Sequence, residues 1–237
     1  MRRKYDVLLF DADDTLLDFR ANEQESLAMV FQELGYGLDE ETRALYKTIN
    51  SDLWRRYEQG DISRQQVLET RFEILFERLG ATVDGRNAEK IYRRALGTGS
   101  HLIEGAYELC KELAKNHQLY IVTNGVYHTQ IQRLKASGLS ALMRNVFVSE
   151  AIGAPKPSSA FFDYVFANIP SASSKRMLII GDSLSSDIAG GIGAGIDTCW
   201  YNPYDDENNT NFEPTYTIRA LSEIFSLLYE SPQGSAC

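Results

Sequence analysis

Short apolar runs alternate with amphipathic segments along most of the chain. Residues 7–10 form an apolar run that is too short for a helix and that ends in three acids within four residues. Similar runs follow at residues 119–123, 146–148, 177–180 and 198–201. Segments with helical periodicity separate the later runs, so the pattern predicts βαβ units. Right-handed crossovers then give an α/β fold with a doubly wound, mostly parallel sheet.

The pattern is helical throughout the segment between the first and second runs. Apolar residues at three- and four-residue spacing predict helices near residues 22–34, 39–58, 64–79 and 87–96. Asn22 with Glu25, and Ser63 with Gln66, are typical of capped helix starts. The sequence therefore predicts a four-helix domain that interrupts an α/β core. The expected division is a core at 1–18 and 101–230, a helical domain at 19–100 and a flexible tail at 231–237.

Charge and composition narrow the classes of partner. The 237-residue chain has a formal net charge of −9, which disfavours binding to a nucleic-acid polymer or an anionic membrane. No apolar run approaches the ~20 residues that span a bilayer. The N-terminus lacks the apolar core of a signal peptide, and the three cysteines form neither a metal pattern nor an even framework. We expect a cytoplasmic protein that acts as a monomer or a weak homodimer.

Chemically useful side chains follow the carboxyl ends of the predicted strands. They are Asp11, Asp13 and Asp14 after the first run, Thr123, Asn124 and Gly125 at the second, Lys156 after the third, and Asp182 and Asp187 after the fourth. Parallel strands end at the same edge of a sheet, where open α/β folds place their ligands. We therefore expect these residues to converge on one site.

The residue types at this edge indicate phosphoryl chemistry. Clustered carboxylates repel one another and bind protons when they are desolvated, whereas a hard divalent cation relieves that conflict. Oxygen ligands in small number suit Mg²⁺ shared with a substrate phosphate. Thr123 and the backbone N–H groups of the Gly125 turn can hold phosphate oxygens, and Lys156 adds a compact positive charge. The expected substrate is a small phosphate ester.

Four motifs in this order resemble those of the haloacid dehalogenase (HAD) superfamily of Asp-based phosphohydrolases. They are D-x-D-x-T at Asp11, Asp13 and Thr15, a strand-terminal Thr123, Lys156, and G-D-S-x-x-x-D at Asp182 and Asp187. The resemblance implies a Rossmann-like HAD core with an inserted C1-type helical cap. A dehalogenase is disfavoured, because dehalogenases lack the acid at the position of Asp13.

The resemblance also implies a role for each motif residue. Asp11 is implied to be the nucleophile that forms an aspartyl-phosphate, and Asp13 the general acid and base. The implied Mg²⁺ ligands are the Asp11 side chain, the Asp13 backbone carbonyl and Asp182, with Asp187 in support. The implied phosphoryl-binding residues are Thr123, Asn124, Gly125 and Lys156.

A narrower resemblance depends on Asp14, which stands where the superfamily commonly has glycine. An aspartate there bears a backbone conformation that glycine normally eases. The acid at this position, with segments of the helical domain and later strands, resembles the YjjG-type pyrimidine 5′-nucleotidases. The other segments are residues 49–54, 60–63, 71–72, 123–125 and 198–200. This resemblance implies a substrate that is a pyrimidine nucleoside 5′-monophosphate.

Alternatives stay open at this stage. The core motifs also suit a phosphatase for a sugar phosphate or a phosphoglycolate-type substrate, and a phosphomutase. A non-catalytic module that binds phosphate or metal is opposed by the presence of every motif acid and Lys156. Asp187 alone could be the N-cap of the following helix. Trp54 and Tyr57 could pack in the helical core or stack on a base.

Overall fold

The computed structural model describes residues 3–170 and 173–229, and the chain divides into two compact units. The first unit is Met1–Asp18 with His101–Cys237, and the second is Phe19–Ser100. The predicted flexible tail at 231–237 lies outside the described residues. In the part of the chain that the structure describes, no helix has both the length and the apolar character needed to cross a bilayer.

One parallel sheet organises the first unit. Its described strands are β1 (Val7–Phe10), β2 (Gln118–Thr123), β3 (Asn145–Val148), β4 (Met177–Gly181), β5 (Asp197–Tyr201) and β6 (Tyr216–Ile218). Their order is β3-β2-β1-β4-β5-β6, and each neighbouring pair is parallel. The predicted α/β fold with a doubly wound parallel sheet is confirmed. The strand order reverses at β1, and ligands bind beyond the strand ends at such a point.

The second unit consists of four helices, as predicted. They are α1 (Phe19–Leu34), α2 (Glu40–Glu58), α3 (Arg64–Arg78) and α4 (Gly85–Thr98). The capping box at the start of α3 is confirmed, because Ser63 and Gln66 exchange both side-chain hydrogen bonds. Asp39 caps α2 by accepting a hydrogen bond from the Thr42 amide.

The prediction that Asn22 caps α1 is wrong. The helix begins at Phe19, so Asn22 lies within it and is buried. The Asn22 Nδ2 atom donates to the carbonyl oxygen of Leu96 at 3.0 Å, which fastens α1 to the end of α4. A Cβ atom at Gly99 would lie 1.7 Å from Asn22 Oδ1, so this contact requires glycine at residue 99.

Polar residues inside the second unit also connect its helices. Arg71 on α3 donates to both carboxylate oxygens of Glu89 on α4, at 2.8 and 2.9 Å, and to Asn50 Oδ1 on α2 at 3.1 Å. Tyr57 is buried in the apolar core, and the Trp54 ring lies edge-on to it with centroids 5.7 Å apart. Residues that carried the narrower resemblance thus hold this unit together.

The remaining helices cover both faces of the sheet. They are α5 (Ala106–Leu113), α6 (Tyr127–Ala136), α7 (Ser149–Ile152), α8 (Ser159–Ala167), α9 (Ala189–Gly193) and α10 (Ile224–Leu227). Strand residues alternate between faces: Leu8 and Phe10 join one apolar core, whereas Val7 and Leu9 join the other. Because β1 is buried on both faces, only its carboxyl end is available for chemistry.

The hydrophobic pattern missed strand β6, the short helix α7 and a π-helical turn in the first unit. Strand β6 has three residues with exposed Thr217 in the middle, which is too short to show an alternation. A π-helical turn at Leu184–Ile188 precedes α9, whereas the sequence predicted a single helix from about residue 188. This turn contains the motif acid Asp187.

Candidate active site

Asp11 occupies the first position beyond β1. Its amide donates to the carbonyl oxygen of Ile180 at 2.9 Å, which extends the β1–β4 pairing by one residue and fixes the direction of the side chain. The residue is only 7% exposed. The Asp11 carboxylate accepts a hydrogen bond from Lys156 Nζ at 2.6 Å.

Lys156 is fully enclosed, and its ammonium group has three partners. Besides Asp11, it donates to Asp187 Oδ1 at 2.6 Å and to the carbonyl oxygen of Val122 at 2.8 Å. These bonds use all three ammonium hydrogens. Burial lowers the pKa of Lys156, but the Asp11 and Asp187 carboxylates outweigh that effect and raise the pKa above its ordinary value. The side chain is therefore a fixed positive charge.

Asn124 holds the backbone of Lys156 on both sides. Its Oδ1 accepts from the Lys156 amide at 2.9 Å, and its Nδ2 donates to the Lys156 carbonyl oxygen at 3.0 Å. A pair of hydrogen bonds thereby joins the turn after β2 to the loop after α7. Both polar atoms of the Asn124 side chain serve this contact.

Asp182 follows β4 and is held at its backbone and side chain. Its carbonyl oxygen accepts from Trp200 Nε1 at 2.8 Å, and its Oδ1 lies 3.5 Å from Thr15 Oγ1. Burial, followed by the charges of Asp11 and Asp187, raises the pKa of Asp182 well above its ordinary value. The sequence had singled out Thr15 and Trp200 as motif residues without giving them this contact.

Asp187 is not an N-cap. It lies inside the π-helical turn, where its Oδ2 accepts from the Ser183 amide at 3.2 Å. The cap of the turn is Ser183, whose Oγ accepts from the Ser186 amide at 3.2 Å. A Cβ atom on Gly181 would lie 2.2 Å from Asp187 Oδ2, so the glycine makes room for this carboxylate.

The three acids form a set of ligands that suits a hard divalent cation. Carboxylate oxygens of Asp11, Asp182 and Asp187 lie within 4.8 Å of one another. With all three acids ionised, the Lys156 ammonium would leave two negative charges at this site. Burial chiefly raises the pKa of Asp11 to about 8, and the Asp187 and Asp13 charges add to this. A cation with oxygen ligands would remove that penalty, as Mg²⁺ does elsewhere.

Asp13 lies in different surroundings from the other acids. Its Oδ2 accepts from Gln130 Nε2 at 2.6 Å, and its Oδ1 accepts from Arg133 Nη1. The carboxylate is thus not a member of the three-acid set. The neighbouring Asp14 adopts a φ of 55°, which confirms that an aspartate bears the left-handed conformation usually given to glycine.

Gln130 and Arg133 were missed by the sequence reasoning. Both lie on the buried face of α6, each only 1% exposed. Residues 130 and 134 share one face of a helix, so a glutamine four residues before the buried Leu134 was a usable signal. The prediction considered only the apolar positions of this helix.

Thr123 and Gly125 join the same group of contacts. Thr123 Oγ1 accepts from Gln130 Nε2 at 2.9 Å and from the Gly125 amide at 3.1 Å. A Cβ atom at Gly125 would lie 2.5 Å from Gln130 Nε2. The glycine therefore lets the glutamine side chain cross the turn after β2.

Residues 8–201 match the haloacid dehalogenase-like hydrolase family, and the chain belongs to it. The chain is therefore a hydrolase, and the family prediction is confirmed.

Curated relatives align over nearly the full chain. The Bacillus subtilis protein YfnB, described as a HAD-hydrolase, is 47% identical over 95% of this chain and 96% of its own length. A crystal structure of YfnB bound to magnesium matches with a TM-score of 0.91 over 95% of this chain and 99% of that one. The pyrimidine 5′-nucleotidase PynA of Streptococcus pneumoniae is 37% identical over 94% of this chain and 95% of its own length. The pyrimidine 5′-nucleotidase YjjG of Escherichia coli is 32% identical over 95% of this chain and 98% of its own length.

Proposed function

We propose that this hydrolase is a Mg²⁺-dependent phosphatase that acts on pyrimidine nucleoside 5′-monophosphates through an aspartyl-phosphate on Asp11. The observation that carries the proposal is the position of Asp11: a buried carboxylate at the end of the central strand, beside a fixed ammonium and two further acids. The substrate class is supported by the names of PynA and YjjG, which align with this chain almost end to end.

The proposed reaction has two steps. The Asp11 carboxylate attacks phosphorus, the bond to the ester oxygen breaks, and the departing oxygen takes a proton from Asp13. Asp13 then takes a proton from water, which attacks the phosphorus of the aspartyl-phosphate and releases inorganic phosphate and free Asp11. Asp13 is restored by the proton that it takes from water, so it ends as it began.

Positive charge at the acid set keeps Asp11 ionised and receives the anionic substrate. Mg²⁺ held by the carboxylates of Asp11 and Asp182 and the Asp13 carbonyl, with Asp187 in support, would neutralise charge on the phosphoryl group. Lys156, in the loop after α7, contributes its fixed positive charge. The protein groups among these are in place before substrate arrives, which is the condition for electrostatic catalysis.

The turn after β2 supplies neutral donors in this proposal. The Thr123 hydroxyl and the backbone N–H group of residue 124 bind phosphoryl oxygens. The Gly125 amide supports this binding by donating to Thr123 Oγ1 at 3.1 Å. The Asn124 side chain is already occupied by the Lys156 backbone. We therefore propose that Asn124 holds the two loops in register, and that its side chain contributes to phosphoryl binding through Lys156.

The test is a phosphate-release assay on a panel with dUMP, dTMP, UMP, sugar phosphates and phosphoglycolate, with Mg²⁺ and with a chelator. We expect pyrimidine nucleotides to be the best substrates, turnover to require Mg²⁺, and Asp11→Asn to abolish it. Asp163→Asn, at an exposed position on α8, is the matched control and should retain activity.

Several outcomes would contradict parts of this proposal. Turnover without a divalent cation, or by Asp11→Asn, would overturn the mechanism. If a sugar phosphate or phosphoglycolate is the best substrate, the proposed nucleotide substrate is wrong. Isomerisation of a sugar phosphate without free phosphate would indicate a phosphomutase.

A further inference from the structure

The Asp13 carboxylate is held at both oxygens by one face of α6. Gln130 donates to Oδ2 at 2.6 Å, and Arg133 donates to Oδ1. A carboxylate has about four lone-pair sites, so one on each oxygen remains for a proton. The contacts therefore fix the orientation of the carboxylate without blocking proton transfer.

Arg133 also sets the orientation of the Gln130 amide. Its Nη1 lies 3.0 Å from Gln130 Oε1, and a guanidinium only donates, so the atom that faces it must be the amide oxygen. The amide nitrogen then faces the other way, with two hydrogens. One reaches Asp13 and the other reaches Thr123 Oγ1 at 2.9 Å.

These contacts determine the role of the Thr123 hydroxyl. A hydroxyl has two lone pairs and one hydrogen. The Gln130 side chain and the Gly125 amide, at 2.9 and 3.1 Å, occupy both lone pairs of Thr123 Oγ1. The hydroxyl can make a further hydrogen bond only as a donor, which is what a phosphoryl oxygen requires.

Stability alone gives a weak reason for such a group on α6. Gln130 and Arg133 are each 1% exposed, and buried ion pairs can often be replaced by apolar side chains without loss of stability. The glutamine further requires glycine at residue 125, where a Cβ atom would lie 2.5 Å from Nε2. The orientation of the Asp13 carboxylate and the Thr123 hydroxyl is a better reason for placing Gln130 and Arg133 here.

We propose that Gln130 and Arg133 are positioning residues for phosphoryl transfer, which hold the Asp13 carboxylate in one orientation and direct the Thr123 hydroxyl toward the phosphoryl group. This inference rests on the proposed phosphatase function. It assigns a role in the reaction to two residues of α6 that lie outside the sequence motifs.

The test compares two esters that differ in their need for an acid. An alkyl ester such as dUMP releases an alkoxide that must be protonated, whereas p-nitrophenyl phosphate releases a stable phenolate. The value of kcat/KM covers the steps up to departure of this group. We expect Arg133→Met to lower kcat/KM for dUMP by about 100-fold, in the range of acid–base catalysis, and for the aryl ester by less than about tenfold.

Matched controls and variants separate positioning from a structural role. Lys135→Met, at an exposed position on the same helix, should leave both esters unaffected. Arg133→Lys keeps a donor for Asp13 and should recover part of the activity on dUMP. Gln130→Met should show the ester-dependent loss too, and it carries the test if Arg133→Met does not fold. In a Thr123→Val background, Gln130→Met should cause no further loss with the aryl ester.

The inference and the proposed function fail in different ways. Equal losses for the two esters in the folded Arg133 and Gln130 variants, or no loss, would overturn the positioning role. If Gln130→Met lowers kcat/KM for the aryl ester as much in the Thr123→Val background as in the wild type, Gln130 does not act through the Thr123 hydroxyl. If the wild-type protein releases phosphate from neither ester in the presence of Mg²⁺, the proposed function itself is wrong.

Discussion

Gly181→Ala is the substitution that most sharply tests how the acid set is built. Glycine at this position ends β4, and an added Cβ atom would lie 2.2 Å from Asp187 Oδ2 and 2.3 Å from its Cγ. Distances under 3.0 Å oblige something to move. The Cβ atom is fixed to a strand at the centre of the sheet, so Asp187 must be displaced.

The expected cost follows from the contacts that the displacement breaks. Asp187 accepts from Lys156 Nζ at 2.6 Å and from the Ser183 amide at 3.2 Å. Hydrogen bonds to charged groups contribute about 1.5–3 kcal/mol each, and overpacking a core costs about 1–3 kcal/mol. Because relaxation offsets part of the sum, we expect the free energy of unfolding to fall by about 3–5 kcal/mol.

Gly193→Ala is the matched control. This exposed glycine closes α9, and a Cβ atom there would meet nothing within 4 Å. Alanine is favoured over glycine in a helix by about 0.5–1 kcal/mol. We therefore expect the control variant to be as stable as the wild type or slightly more stable.

The assay follows urea unfolding of the first unit alone. The chain has two tryptophans, so a Trp54→Phe background leaves Trp200, which is buried at the end of β5, as the reporter. Urea m-values are typically about 1–3 kcal/mol/M, so a loss of about 3–5 kcal/mol in Gly181→Ala should lower the midpoint by about 1–5 M. A midpoint equal to that of Gly193→Ala would refute the close packing of Asp187 against β4.

Three further predictions concern other parts of the molecule. Burial lowers the pKa of His117, whose Nδ1 donates to the Tyr5 carbonyl oxygen at 3.1 Å. As the pH is lowered below about 6.5, the unfolded chain binds a proton at this histidine before the folded chain does, so the free energy of unfolding should decrease. That decline should be smaller in His117→Gln by urea titration, and equal slopes would contradict the prediction. Gly125→Ala should displace Gln130 and reproduce the ester-dependent loss in kcat/KM; normal activity on both esters would show that the glutamine has room to move. Ser63→Ala should destabilise the second unit by about 0.5–2 kcal/mol in thermal unfolding followed by circular dichroism, and an unchanged midpoint would show that the capping box contributes nothing.

The placement of the motif acids could be predicted because strand ends are visible in a sequence. The apolar run at β1 ends at Phe10, so Asp11 had to stand at the sheet edge, and the same reasoning placed Asp182 after β4. The sheet itself followed from the alternation of runs and helices. These predictions depend only on hydrophobic period and chain direction.

The remaining parts of the site depend on contacts between distant residues, which a pattern does not contain. Asn22 and Glu25 have the spacing of a capping box, but the tertiary contact with Leu96 places Asn22 inside the helix. The sequence left open whether Asp187 supports the site or caps a helix, because its partner Lys156 lies 31 residues away in the chain. Arg133 contacts an acid 120 residues before it in the chain.

The central claim of the account is that Asp11 carries the phosphoryl group. The most direct measurement is rapid acid quenching of the enzyme during turnover of a nucleotide labelled in its phosphate, followed by peptide mapping. The account predicts an acid-stable, hydroxylamine-labile label on the peptide that contains Asp11, and no label in Asp11→Asn. Turnover of the labelled nucleotide with no phosphate on that peptide at any quench time would contradict it.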